Sequence, residues 1–493
     1  MYLYLRTFLV MFVTLFTSRV ILQSLGVEDY GIYNVVGGII TMFSFISSTL
    51  STASQRYITF ELGKGSEGNM NKIFSICLFL HLGIAFIVVA IAEPVGLWFI
   101  YNKLLIPSDR LVAAVWVYQF TILSMILMFL SVPFNALIIA YEKMNAFAAI
   151  SIVDAVMRLL VAYSIMLCSS DKLIVYAFLM FAAQLSVQAC YMIYCYNHFP
   201  ESHYKHHWDK ALVKEMGKFA SWSVFGNLAY VTYTQGLNLL LGTFFLPVVN
   251  AARGIAVQVQ SAVNQFVTSF QTAINPQIIK NYSSGNMLEM INLVFRSSRF
   301  SFYLLMIMTI PVILETEVLL QLWLKNVPDY TIVFLRIILL TTWINSIANP
   351  LIISVKATGN VKKYESTVGV LMILILPISY FFLKIGYPPV TVFIVHLCME
   401  CLAMVCRILI TRSLVHFSLR RYVKEVLLRI ITVGCFAIII PLLFYLYIDS
   451  SVLRFFMVCG VSVICSVISI LLFGLTKGER VYITDKLVKM VHR

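Results

Sequence analysis

Leu25-Gly26, Asn34, Gly38-Ile39, Thr52, Gln55 and Ile58 recur, in order and without a gap, as Leu241-Gly242, Asn250, Gly254-Ile255, Thr268, Gln271 and Ile274. Each pair is 216 residues apart, and the eight identities fall within 34 paired positions. A shared apolar alphabet inflates such counts. Matches at Gly, Asn and Gln are harder to obtain that way, so they carry the weight. The pattern reads as one hairpin used twice, in two structural halves packed around a shared central space.

The 493-residue chain is 60% hydrophobic and only 12% charged, whereas a soluble domain is about 25% charged. Its apolar residues come in long runs, such as Ile73 to Ile100 and Leu427 to Tyr447. A helix needs roughly 20 such residues to cross a bilayer, so the chain reads as an all-α integral membrane protein. A transmembrane β-barrel is excluded, because its strands alternate apolar and polar residues. The ten cysteines lie singly, and Cys398 and Cys401 sit inside an apolar run, where they read as packing residues. No disulfide framework or zinc knuckle is visible, and neither metal nor cofactor is expected. The first apolar run lacks a small-residue cleavage site and is followed by further spans, so it reads as a retained signal anchor. The net charge of +14 follows the distribution of basic loops about a membrane better than it suggests nucleic acid.

Apolar spans are expected near 3–25, 32–55, 73–101, 113–140, 148–170, 173–196, 218–246, 248–272, 293–323, 331–357, 365–384, 388–413, 423–447 and 452–475. With the N-terminus in the cytoplasm, 26 of the 36 Lys and Arg residues fall at cytoplasmic ends, 7 fall on the opposite side and 3 lie inside spans. That ratio places both termini inside, with about fourteen helices. The repeat offset covers six spans, an even number, so the halves are expected to be parallel repeats about an axis normal to the membrane. The domains are then 1–196, a six-helix bundle; 197–217, a cytoplasmic connector; 218–413, a second six-helix bundle; and 414–493, two added helices with a basic tail. No loop has room for a soluble catalytic domain and no P-loop is present, so the chain is not expected to be an enzyme.

A charge at a helix centre costs about 2.5–3.5 kcal/mol on insertion scales. Arg19, Arg158 and Arg253 lie inside spans and should therefore face a hydrated cavity or a counter-ion. Arg19 and Arg253 sit in the outer thirds of spans 1 and 8, which the repeat makes neighbours; a guanidinium fork there suits phosphate oxygens. The alternative for Arg19 is an ion pair with Glu28 or Asp29. Arg253 has no acid within twenty residues. Asp154 and Arg158 share one face of span 5. They form either a self-neutralising pair or a contact that changes partners between states. His396, Glu400 and Arg407 form one stripe of span 12, readable as a protonation site or as a hydrogen-bonded helix contact. His81 and Glu93 read as packing residues. Spans 7 and 8 are rich in amides and tyrosines, among them Asn227, Tyr230, Gln235, Asn238, Asn250, Gln258, Gln260, Asn264 and Gln271. These can glue helices together or line a wet path, and their density in one hairpin favours the path. Several in-span prolines, Pro133 and Pro350 among them, allow helices to bend.

The stretch Thr17-Ser18-Arg19-Val20-Ile21-Leu22-Gln23-Ser24-Leu25-Gly26-Val27-Glu28-Asp29-Tyr30-Gly31-Ile32-Tyr33-Asn34 resembles the opening hairpin of Wzx-type polysaccharide flippases of the multidrug/oligosaccharidyl-lipid/polysaccharide (MOP) superfamily. The span layout is similar across the whole chain. The resemblance implies two six-helix bundles in a V, as in multidrug and toxic-compound extruders (MATE). It implies a location in the bacterial inner membrane and a substrate, an oligosaccharide on undecaprenyl diphosphate, turned from the cytoplasmic to the periplasmic leaflet for O-antigen or capsule assembly. Membrane lipid and other polysaccharide-assembly proteins are the implied partners, and nucleic acid is not. Relatives place arginines on helices 1, 2 and 8 in a cationic cavity; Arg19 and Arg253 match that placement, and Arg56 matches it less closely. Asn34, Asn250, Gln258, Asn264 and Arg158 complete the candidate cavity set. Coupling to a proton or sodium gradient would use Asp154, His396 and Glu400. Relatives usually carry a cytoplasmic segment before the first span, which leaves room for a longer start. Three rivals stand: a MATE-like multidrug or metabolite exporter, whose cavity is expected to be acidic; a membrane glycosyltransferase or O-antigen polymerase, which needs a long catalytic loop; and a structural scaffold, which needs no interior charge.

Overall fold

The computed structural model describes residues 2–41, 44–65, 68–102, 104, 106–168, 170–205, 209–245, 247–324, 327–449, 451–476 and 478–480; some side chains before residue 45 lie outside that description. Helices are the only regular structure among the described residues. They form two compact units, Met1–Asn227 with Ile279–Gly285, and Leu228–Ile278 with Asn286–Arg493.

The first unit holds α1 (Tyr2–Thr41), α2 (Ser44–Gly63), α3 (Met70–Asn102), α4 (Leu111–Ala140), α5 (Met144–Met166) and α6 (Lys172–His198). It also takes the start of α7 (Lys210–Phe244) and the end of α8 (Pro247–Ser283). Gly26 breaks α1 into two limbs, with φ 80° and ψ 169°, a conformation that only glycine adopts cheaply. The limb before it packs Val20, Ile21 and Leu25 against Val161, Ala162 and Ile165 of α5 and Tyr176 of α6. The limb after it joins Ile32 and Val36 to a core with Val117, Tyr118 and Phe129 of α4. Arg110, at the N-cap of α4, binds Asp29 just past the bend and reaches Asp171 at 3.0 Å. Asp171 in turn caps α6, accepting from the Leu173 N–H at 3.0 Å. Asp29 is thus engaged by Arg110. Glycine also matters at Gly96, where an added Cβ would lie 1.9 Å from the Tyr118 hydroxyl. That hydroxyl donates to the Ala92 carbonyl at 2.5 Å. At other contacts within this unit, Lys280 donates to Glu142 at 2.5 Å and Tyr57 donates to Glu215 at 3.2 Å. His81 hydrogen-bonds the Cys77 carbonyl (2.7 Å) and Gln119 donates to Glu93 (2.7 Å), so both residues do pack as expected.

The second unit holds the rest of α7 and α8, then α9 (Met287–Leu314), α10 (Thr316–Leu324), α11 (Thr331–Thr358), α12 (Lys362–Lys384), α13 (Val390–Val415), α14 (Leu419–Tyr422), α15 (Leu428–Tyr447) and α16 (Val452–Ser469). α9 packs against α11 on one side and against α15 and α16 on another. The C-terminal pair is fastened at both ends. Arg454 of α16 meets Glu315 at 2.8 Å, both buried, and its guanidinium lies 4.8 Å from the Tyr445 ring centre. Glu479 binds Arg299 at 2.7 Å, Arg296 at 3.1 Å and the Thr476 N–H at 2.8 Å. Burial alone would raise its carboxyl, but the Thr476 N–H and the two guanidiniums hold it below the usual carboxylate range. Between these anchors the buried face of α16 carries Ser462, Ser466 and Ser469, small residues that let helices approach closely.

Among the described residues, ten helices are long and apolar enough to cross a membrane, by length and composition. The first two expected spans fall on the limbs of α1 continued by α2, and the seventh and eighth on α7 and α8. The latter two have 35 and 37 residues, ample length, but their polar residues dilute the apolar signal. On the outer faces, Phe86, Ile87, Ile91, Leu446, Leu453 and Phe456 are more than half exposed, which suits a surface bathed in acyl chains and not in water.

Candidate functional site

The polar residues of α7 and α8 are not spread evenly. Tyr230, Tyr233, Thr234 and Leu237 follow a helical repeat on one face of α7. Arg253, Val257, Gln260, Ser261 and Asn264 do the same on α8. Within the second unit these two faces, with Ile338 of α11 and Phe393 and His396 of α13, enclose a cavity of about 160 Å³. The lining combines aromatic rings, amides, hydroxyls and one guanidinium, and it contains no carboxylate among the described residues.

Arg253 is 7% exposed. Its Nη2 donates to the Thr234 carbonyl at 3.0 Å, and its Nη1 donates to the Asn238 Oδ1. Asn238 is a junction. Its Nδ2 donates to Gln235 Oε1 at 3.2 Å, and its carbonyl accepts from Asn250 Nδ2 at 3.2 Å. The guanidinium is therefore aimed by two neutral acceptors of α7 and pairs with no carboxylate among the described residues. Its hydrogen bonds are made, but its charge is not cancelled. A buried charge in that state costs several kcal/mol relative to water. His396 lies across the cavity, its ring centre 5.1 Å from that of Tyr233, and its Nε2 has no hydrogen-bond partner among the described residues.

Of the residues expected from sequence, the cavity brings together Arg253, Asn264 and His396. Gln258 is exposed on α8, away from the lining. Asn250 serves the hairpin turn; an added Cβ at Gly242 would come within 3.0 Å of its Nδ2, so the repeated Gly–Asn pair packs against itself. Gln260 and Gln271 tie helices, donating to Thr342 at 2.8 Å and to Ser301 at 3.0 Å. Glu400 is buried and takes its hydrogen bond from Arg407, seven residues along α13, so it is not paired with His396. Asp154 and Arg158 pair across one turn of α5 at 3.0 Å. Arg56 is buried on α2 in an aromatic cage, with its guanidinium 4.3 Å from the Tyr57 ring centre and 4.8 Å from that of Phe60, and 3.9 Å from Glu215. The side chains of Arg19 and Asn34 lie outside the described residues. Sequence reasoning named Asn238 only as one polar residue among many. Its spacing from Arg253 across the hairpin turn gives no periodic signal.

The MatE family model matches residues 4–164. No curated protein sequence matches the chain. Solved structures do. An outward-facing multidrug resistance MATE family transporter of the MOP superfamily superposes with a TM-score of 0.70 at 11% identity, over 84% of this chain and 95% of its own. A MATE protein in the bent conformation gives 0.69 at 12% identity, over 83% and 93%. A MOP superfamily transporter from Pyrococcus furiosus, described as having a binding pocket of reverse polarity that suggests a different function, gives 0.64 at 13% identity, over 84% and 95%. The chain is a multi-pass integral membrane protein with the fold of the MATE structures it resembles, and its first third is similar to the MatE family.

Proposed function

We propose that this protein moves an anionic, sugar-bearing lipid across the bacterial inner membrane by alternating access, with undecaprenyl-diphosphate-linked oligosaccharide as the substrate class. The observation that carries the reading is Arg253, a buried guanidinium oriented by neutral acceptors and facing a cavity without a carboxylate. A positive charge left uncancelled in a place of low dielectric is stabilised when an anion arrives, and a diphosphate offers several oxygens to the guanidinium fork. Tyr230, Gln260 and Asn264 supply rings and amides beside it, the groups that stack on and hydrogen-bond to sugars. The prenyl chain stays in lipid. No bond is made or broken, and a proton or sodium gradient drives the return, with Asp154 and Glu400 as ion-paired candidates whose partners can be exchanged.

The second reading is export of a drug or metabolite, favoured by a structural neighbour described as a multidrug resistance transporter. Cavity chemistry separates the two. Cationic drugs call for acidic walls, whereas this lining carries a guanidinium and no carboxylate among the described residues. The test replaces Arg253 with Ala, and separately with Lys, in a strain whose surface polysaccharide depends on this gene. Loss of polymer with Ala, partial loss with Lys and normal protein level support the reading. Undiminished polymer in the Ala variant removes Arg253 from the site, and with it the argument for an anionic substrate.

A further inference from the structure

The stretch that leads from α14 into α15 is basic, and the structure sorts its cations into two kinds. α14 continues through a wide π turn, Val423–Leu427, into α15. Its inner face is pinned. Tyr422 and Val426 are fully buried, and the Tyr422 ring meets that of Phe295 of α9 edge-on at 5.2 Å. Arg421 donates to Asn292 of α9 at 2.7 Å and to Glu425 at 2.9 Å. Glu425 is the one acid in the sequence between Arg412 and Tyr447, and Arg421 engages it. The outer face differs. Arg420, Lys424, Leu428 and Ile431 follow at steps of four, four and three residues, which keeps them on one side of a helix. All four are exposed. Neither Arg420 nor Lys424 has a side-chain hydrogen bond or ion pair among the described residues. Like charges one turn apart repel, and the pinned inner face keeps their backbones from parting. Beyond them Leu428 and Ile431, 52% and 59% exposed, open the apolar span that ends at Tyr447. The stripe is thus cationic where it starts and aliphatic where it continues, the layout of a charged head above an acyl chain.

We propose that this stripe docks an anionic phospholipid of the leaflet that meets the start of α15, with the phosphate at Arg420 and Lys424 and an acyl chain along Leu428 and Ile431. The inference goes beyond the transport reading and does not depend on what the cavity carries. A cation at a membrane surface favours anionic lipid by an amount equal to about fivefold in binding, so the pair gives a preference of about twentyfold over a zwitterionic lipid with the same chains. A guanidinium takes two phosphate oxygens while an ammonium makes a point contact, so both residues can serve one phosphate. A soluble anion would use the cations and leave the aliphatic half of the stripe without a role. The same segment is fastened to α9 through Arg421 and Tyr422, so lipid on its outer face strengthens the hold of the C-terminal helix pair on the second unit.

The experiment uses the full-length protein in a neutral detergent. Phosphatidylglycerol and phosphatidylcholine with identical chains are offered in equal amounts, and native mass spectrometry counts the lipid retained. Wild type is expected to prefer phosphatidylglycerol by about twentyfold at low salt, and by much less when salt is raised to about 0.5 M. Arg420→Gln/Lys424→Gln, which leaves the pinned face untouched, is expected to lose most of that preference. Lys362→Gln/Lys363→Gln removes two exposed cations at the start of α12 and is expected to keep it. A loss of less than threefold in the Arg420/Lys424 variant overturns the inference, because the two cations are then only a solvated face. An equal loss in the α12 variant overturns it too, because the effect is then one of net charge. Glycerol 3-phosphate, which has the anion without the chains, is expected to leave the bound lipid in place; displacement at equal concentration makes this a site for a free anion and overturns the lipid reading. If the double variant elutes as an aggregate, Lys424→Gln replaces it, with a loss of about fivefold expected and a loss of less than twofold overturning the inference.

Discussion

Asn238→Asp separates a guanidinium that waits for a ligand from one that merely packs. Asp is nearly isosteric with Asn, and its Oδ1 falls where the amide oxygen already accepts from Arg253 Nη1. The change converts a neutral acceptor into a carboxylate at ion-pair range. At an effective dielectric of about 20 and a charge separation of about 4 Å, the new attraction is about 4 kcal/mol. Bringing a carboxylate into a buried site costs several kcal/mol, and the donor to Gln235 is lost. The net effect on stability is therefore small, within about 2 kcal/mol of zero, and a drastic loss of folded protein is not expected. The effect on an incoming anion is large. It meets a neutral pair in place of a cation and forfeits about 4 kcal/mol, close to a thousandfold in affinity. Arg253 is only 7% exposed, so solvent screening does little to soften that loss. The assay pairs thermal unfolding in nanodiscs with binding of ethane-1,2-disulfonate, a dianion whose charge does not change with pH. Folded Asn238→Asp protein that still binds the dianion within threefold of wild type would refute the reasoning, since a cancelled charge cannot hold an anion.

Two further substitutions test the frame around the site. Gly96→Ala drives a methyl group to 1.9 Å from the Tyr118 hydroxyl, and should destabilise the first unit by about 1–3 kcal/mol. A lowered unfolding temperature that is partly restored by adding Tyr118→Leu supports this, and an unchanged temperature contradicts the close approach. Glu400→Gln strands the buried Arg407 and should cost about 3–5 kcal/mol, most of it recovered in the double variant Glu400→Gln/Arg407→Met. A stable single variant with impaired transport would instead support the ion-carrier role proposed for Glu400.

Much of the architecture was legible because a bilayer is an undemanding reader. Runs of about twenty apolar residues announce helices whatever they pack against, and ten of them reappear as long apolar helices. Gly26 was visible as a repeated residue, but its φ of 80° was not, because sequence does not say which glycine bends a helix. Asp154 and Arg158 were readable as a pair, since an i,i+4 spacing fixes their proximity. Asp29 was not, because its partner Arg110 is 81 residues away and is brought there only by packing of α1 against α4. For the stripe of α13, periodicity gave the shared face but not the pairing. His396, Glu400 and Arg407 are all on that face, yet Glu400 reaches along the helix to Arg407 and leaves His396 to the cavity. Periodicity orders residues around a helix axis. It does not say which of two neighbours wins a carboxylate.

The repeat itself shows how such a site is assembled. Shifted back by 216 residues, Gly242 and Asn250 become Gly26 and Asn34, unchanged, whereas Thr234, Asn238 and Arg253 become Ser18, Leu22 and Gly37. What the two copies share is what a hairpin needs, a glycine and an amide at its turn. What they do not share is the guanidinium and the side-chain acceptor that aims it, which change together. Leu22 could offer no side-chain oxygen to an arginine, and Gly37 carries no arginine to need one. A lone Gly37→Arg change would place a cation in α1 without the amide that Asn238 provides, and a lone Asn238→Leu change would leave Arg253 with the Thr234 carbonyl as its single described acceptor. Acceptor and cation are useful only as a set, and at these paired positions the second copy holds both and the first holds neither. The duplicated passage supplies the scaffold, and the Asn238–Arg253 pair is peculiar to its second copy.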